Sequence, residues 1–395
     1  MSGPAAFTIT TPQHVIDGIL AKVRAYDWHE MPEIMPGEDR WAFGTDMVYL
    51  KELCAHWTQK YDWRAAETAL NRFPQFKAAI DGLDIHFLHI EGSGANPETI
   101  LLTHGWPGSI FEFYEIIEPL AHPEKFGGDA QDGVNLVIPS LPGFSFSAKP
   151  ERPLGPRAVA DLWDKLMREM LGYKTYIAQG GDWGSVISGW LAHHHSLAKG
   201  GGCKALHLNM WGLRPGGIAP ETAAELKWAD EMVRLFQTET AYLQLQMTKP
   251  QTLSYAMMDS PVGVAAWIVE KFNSWADTSS PQGAHIQNAF TKDQMLTNIM
   301  IYLTTRTFNT ATWIYRGMAD EGGLETPPGV TFDVPTAIAR YPAEPYSFPP
   351  RSLVEKCCNI VRWNDFERGG HFAALETGQI FADDVREFTR QVKAL

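Results

Sequence analysis

One seven-residue stretch restricts the fold more than anything else in the chain. Gln179-Gly180-Gly181-Asp182-Trp183-Gly184-Ser185 follows the apolar run Tyr176–Ala178 and precedes the helical pattern Val186–Leu197. A strand that passes into a helix so abruptly leaves no room for a Cβ, so glycine flanks the turn on both sides. Such a turn lifts its middle side chain over the carboxyl edge of a sheet, and here that side chain is Asp182. The rest of the chain is read around this point. Short apolar runs predict strands at Ile85–Ile90, Thr99–Thr103, Val134–Ile138, Thr175–Gln179 and Ala205–Leu208, with helical patterns between the later ones. Strand–helix alternation predicts an α/β fold with a mostly parallel sheet covered by helices.

Outside this core the pattern changes twice. Thr11 reads as a helix N-cap, followed by Pro12 and by Val15, Ile16, Ile19, Leu20 and Val23 at helical spacing. Met47, Leu50, Leu53, Cys54 and Trp57 mark a second helix and Ala65–Leu70 a third, so residues 1–80 read as a helical lead-in. From 214 to 328 strand signals fade and helical ones dominate. Val334–Ala339 and Asn359–Trp363 then read as strands and Ile380–Val392 as a closing helix. The expected division is a meander at 1–80, core at 81–213, a helical insertion at 214–328 and core again at 329–395.

Composition removes several functional classes. Lys and Arg number 33 against 46 Asp and Glu, a formal net charge of −13 with no basic run. That argues against nucleic acid and against anionic membrane surfaces as partners. No apolar run reaches the ~18 residues of a membrane span, and the N-terminus lacks a charged-then-apolar signal pattern. Four cysteines show no zinc spacing, and His193, His194 and His195 are too close in sequence to share a metal. A cytoplasmic, reducing location without a metal is expected.

Two further motifs complete a catalytic set. Thr103-His104-Gly105-Trp106-Pro107-Gly108-Ser109 ends a predicted strand. The backbone N–H groups of Trp106 and Trp183 there suit an oxyanion hole. Arg368-Gly369-Gly370-His371-Phe372 offers a loop histidine after the last strand. Taken singly, each motif has a plain structural alternative: a capped glycine turn, an ordinary strand connection, a surface histidine. Together, the order of nucleophile, acid and histidine is that of the α/β-hydrolase fold. An aspartate nucleophile attacks sp³ carbon, at an epoxide or a carbon–halogen bond, and makes an alkyl ester. The acid that orients His371 is open among Asp333, Glu344, Asp365 and Glu367. Glu344 follows a strand by a short loop, where this fold carries its acid, and is favoured.

With these motifs the chain resembles the epoxide hydrolases of the α/β-hydrolase superfamily, in the branch of the microsomal enzyme and its soluble relatives. Tyr61-Asp62-Trp63-Arg64, Phe73-Pro74-Gln75-Phe76, the 104–109 and 180–184 motifs, the stretch from Gln246 to Trp275, and 368–374 carry the likeness. The resemblance implies Glu344 as the acid, 27 residues before His371. It also implies two lid tyrosines, Tyr242 and Tyr315, with Tyr255 as the substitute for Tyr242. They would hold the epoxide oxygen while Asp182 attacks carbon; His371 would then activate water, and no cofactor is required. Trp106, Phe144 and Trp183, with His104 and Pro107, are expected to form an aromatic pocket for a lipophilic epoxide. Relatives suggest a homodimer. A haloalkane dehalogenase, or a binding protein without catalysis, is the alternative on the same fold.

Overall fold

The computed structural model describes residues 3–394. Nine strands form one sheet: β1 (Ala5–Phe7), β2 (Gln75–Ile80), β3 (Leu83–Ile90), β4 (Thr99–Thr103), β5 (Asn135–Pro139), β6 (Tyr176–Gly180), β7 (Cys203–Leu208), β10 (Phe332–Arg340) and β11 (Cys358–Asp365). Two short strands, β8 (Arg214–Pro215) and β9 (Glu325–Thr326), pair with each other apart from it. The sheet order is β1-β2-β3-β5-β4-β6-β7-β10-β11. From β5 to β11 every neighbour is parallel, and β1, β2 and β3 continue antiparallel at one edge. The α/β-hydrolase fold with a mostly parallel sheet is present.

All seven strands read from the sequence form, with ends moved by one or two residues. The closing helix runs Gly378–Ala394. The helical reading of the first 80 residues needs correction, because that segment also supplies β1 and β2. β2 and β3 are joined by Asp81-Gly82, with φ of 50° and 82°. An Asp-Gly pair with both residues at positive φ is the tight hairpin turn that matches the twist of its strands. Thr11 is not a cap: the first helix, Gln13–Arg24, starts after Pro12, and the Thr11 N–H instead donates to Glu67. The second helix, Met47–Gln59, is capped by Asp46, whose carboxylate accepts from the N–H groups of Val48 and Tyr49.

β4, β5 and β6 have apolar centres and are buried on both faces, as central parallel strands must be. β8 and β9 close the base of the helical insertion, so the chain leaves and rejoins the core side by side. The N-terminal helices brace this insertion from outside. Lys22 pairs with Asp259, His56 meets Asp293 at 2.6 Å, Lys292 meets Glu52 at 3.0 Å, and the Tyr61 hydroxyl lies 3.1 Å from that of Thr297. Among the described residues no helix is long and apolar enough to cross a membrane. All four cysteines are free and buried.

Candidate active site

Asp182 begins the helix Asp182–His194 straight after β6, at φ 46°. A non-glycine residue in that region is held there by its surroundings. The glycines around it show how tight those surroundings are. A Cβ on Gly180 would strike the Gly184 backbone, one on Gly181 the Asn209 amide, one on Gly184 the Thr103 carbonyl and one on Gly105 the Asp182 side chain. The elbow is therefore packed against the end of β4 with no spare atom.

The Asp182 carboxylate has two different sides. Oδ1 accepts a 2.7 Å hydrogen bond from the Trp106 backbone N–H. Trp183 occupies the first turn of the helix, where amides have no intrahelical acceptor. Oδ2 lies 3.4 Å from His371 Nε2, a charge contact rather than an aligned hydrogen bond, since Nε2 has no hydrogen-bond partner among the described residues. His371 Nδ1 is 2.8 Å from Glu344 Oε2, and Glu344 Oε1 accepts from the Tyr346 N–H at 2.9 Å. Burial alone opposes an imidazolium, but the Glu344 carboxylate, and then Asp182, outweigh it and hold His371 well above 6.5.

The other candidate acids lie elsewhere. Asp365 pairs with Arg340, and Asp333 and Glu367 are exposed. His371 itself is fixed by its backbone: its N–H donates to the Trp275 carbonyl, and Glu376 accepts from the N–H groups of both Phe372 and Asp277.

Tyr242 and Tyr315 stand on the lid side. Trp106 stacks on Tyr242 at 5.2 Å and meets Tyr315 edge-on at 5.8 Å; Trp183 meets Tyr315 edge-on at 4.7 Å. The two tyrosine rings lie 5.9 Å apart. The Tyr242 hydroxyl touches that of Tyr346 at 3.1 Å, while the Tyr315 hydroxyl is buried with no partner among the described residues. Burial, reinforced by nearby acidic groups, pushes both phenols well above their ordinary range, so both are proton carriers at neutral pH. Tyr255 is 76% exposed and drops out as a substitute for Tyr242.

Two cavities meet at Asp182. The lid-side cavity, about 80 Å³, is lined by Asp182, Trp183, Tyr242, Tyr315, Tyr346 and a set of apolar side chains. The second holds about 10 Å³, close to the minimum for one water, and is lined by Asp182, His371, Trp106, Asn209 and Glu112 among others. His104, Pro107 and Phe144 line neither. His104 supports the turn from behind, its Nε2 accepting from the Leu141 N–H, with Phe144 edge-on to its ring; the Pro107 carbonyl is taken by Asn298.

Sequence reasoning passed over Glu112 and Tyr346. Burial pushes the Glu112 carboxyl up to about 8, with His371 opposing that shift. A Cβ on Gly108 would overlap this carboxylate. That glycine, in the middle of the turn, was the available signal that a side chain folds back beneath it.

Comparison with known proteins agrees with this geometry. The family model for the epoxide hydrolase N terminus matches residues 4–113, and that for the alpha/beta hydrolase fold matches 98–314. Epoxide hydrolase 1 of Sus scrofa is 34% identical over 379 residues, covering 89% of this chain and 82% of that protein. The structure of the Aspergillus niger epoxide hydrolase superposes with a TM-score of 0.83 at 30% identity, covering 99% of this chain and 97% of that one. Juvenile hormone epoxide hydrolase from the silkworm Bombyx mori superposes with the same score at 28% identity, covering 100% and 95%. An α/β-hydrolase core carrying an aspartate elbow defines an enzyme class. Within that class the chain belongs to the epoxide hydrolase family.

Proposed function

We propose that this epoxide hydrolase opens lipophilic epoxides to vicinal diols through an ester of Asp182. The observation that carries the reading is the two-sided setting of its carboxylate. Oδ1, held by the Trp106 N–H, remains the carbonyl oxygen, and Oδ2 attacks a ring carbon. As the carbon–oxygen bond breaks, Tyr242 or Tyr315 gives the leaving oxygen a proton. Water in the small cavity then attacks Cγ of Asp182, and His371, oriented by Glu344, takes its proton. The Trp106 and Trp183 N–H groups stabilise the oxyanion. The Cγ–Oδ2 bond breaks, so Oδ2 leaves with the diol and the water oxygen stays in the enzyme. The proton that His371 carries in the free enzyme has by then restored the phenol, the one taken from water recharges His371, and the acid proton left on the Asp182 carboxyl goes to the departing diol oxygen. Glu112 shares the water cavity and holds that water as a second polar partner.

The four-part division at 80, 213 and 328 belongs to the same reading. Its support is the β8–β9 clamp at the base of the insertion and the set of contacts between the N-terminal helices and the lid. Reducing surroundings are supported by the four free cysteines.

A single turnover in ¹⁸O-water tests the chemistry. Label should enter the Asp182 carboxylate and be absent from the first diol formed. His371→Gln should accumulate enzyme heavier by one substrate. Label appearing directly in the diol would exclude the ester route. Halide release from haloalkanes without diol formation from any epoxide would turn the reading to a dehalogenase.

A further inference from the structure

The lid-side cavity does not end at the tyrosines. A larger one, about 510 Å³, opens beyond it under the lid helix Ala223–Glu239. The same five side chains, Trp211, Arg214, Trp228, Met232 and Phe236, line both, so the two chambers adjoin along this shared wall. Four of the five are apolar. The indole N–H of Trp228 is already spent on the Ser347 carbonyl at 2.9 Å. Arg214 is therefore the one charged group at the junction.

Its backbone is fixed and its side chain is unspent. The Arg214 N–H donates to the Leu324 carbonyl at 2.9 Å, and the residue pairs with Glu325 across β8 and β9. Its guanidinium makes no hydrogen bond and no ion pair within 4 Å among the described residues, although Glu325 is its strand neighbour and lines the outer chamber. A half-buried guanidinium in an aromatic wall has lost water without gaining a partner. An anion brought in by a ligand would supply one. A single guanidinium suits a single charge. A dianionic phosphate needs more donors, and the Glu325 carboxylate repels it more strongly.

We propose that Arg214 selects epoxides that carry a carboxylate on an apolar chain over neutral epoxides of the same shape. The proposal rests on the epoxide hydrolase reading above and gives it a substrate class. The chain would lie along Trp211, Met232 and Phe236, with the ring between Asp182 and the tyrosines and the carboxylate at the guanidinium.

The test compares kcat/KM for diol formation from epoxyundecanoate and from its methyl ester, with styrene oxide as a third substrate. The native enzyme should favour the acid over the ester by about tenfold, the worth of one charge-assisted contact. In Arg214→Gln that ratio should fall to about one. In Glu325→Gln it should rise, because a competing carboxylate is gone; this second variant keeps the test open if the first does not fold. An acid-to-ester ratio near one in the native enzyme, or an unchanged ratio in Arg214→Gln, would overturn the proposal while styrene oxide turnover keeps the hydrolase reading intact. No turnover of any of the three would overturn both.

Discussion

At the scale of single residues, the charge of Asp182 bears on His371, the group proposed to act on it later. Two carboxylates, Glu344 and Asp182, hold His371 well above 6.5 in the free enzyme. When the proposed ester forms, Asp182 becomes neutral and one of these two influences disappears. The imidazole is then released from its proton at the step that needs a base. Asp182→Asn mimics the uncharged state, so its His371 should titrate at lower pH than in the native enzyme, followed by the ring proton resonances. An identical titration in both would refute the coupling. The sign for stability follows. A raised histidine pKa adds stability below about 6.5, and this is lost as pH climbs through the folded-state value, so the Asn variant should lose less over that range. In the proposed scheme the tyrosines act earlier. Each donor at a developing alkoxide is worth about 2–4 kcal/mol, and two share the load. Tyr242→Phe or Tyr315→Phe should each slow ester formation, and the double variant should nearly abolish it with modest change in substrate binding. Stopped-flow tryptophan fluorescence, with Trp106 and Trp183 against these rings, reads that step. The meeting of Asp182, His371 and Glu344 was legible because motif and chain order carry it. Tyr346 was not, since it reaches Tyr242 from 104 positions away and no local pattern marks it.

Among the elements, the lid helix Ala223–Glu239 is weakly anchored for its 17 residues. Glu225 is its one buried residue, while Leu226, Val233 and Phe236 are exposed. The carboxylate of Glu225 accepts from the N–H groups of Glu221 and Thr222 and from the Ser352 hydroxyl, with Lys356 at 3.6 Å. These contacts hold its carboxyl down at about 2. A capping box that also ties a helix to a distant loop fixes its position as well as its start. Glu225→Ala should expose this helix to limited proteolysis and hydrogen exchange while the main unfolding transition stays in place. A shift of the whole transition instead would show that the helix is part of the cooperative core. Helices of this kind were visible from their spacing. The strands missed at the N-terminus were short, lay at the sheet edge and alternated weakly, with only the Asp-Gly turn to announce β2.

For the molecule as a whole, the N-terminal segment works as a brace between sheet and lid. Trp57 is fully buried within it. Trp57→Ala should cost about 3–5 kcal/mol in chemical denaturation and loosen the lid helices along with the segment itself. Loss confined to the first 80 residues would mean that brace and lid are independent. Such an arrangement could not be read from periodicity, because its contacts join residues more than 200 positions apart. The order of the parts along the chain has a further consequence. β6 and the elbow precede the lid, whereas Glu344 and His371 follow it on β10 and the loop after β11. During synthesis the proposed nucleophile is therefore made first, the lid tyrosines next and the proposed base last. An elbow made before the lid lacks the phenols that the proposed first step needs, so the order of synthesis keeps the nascent carboxylate idle until Tyr315 is in place and leaves only the short stretch to His371 in which an ester could form without release.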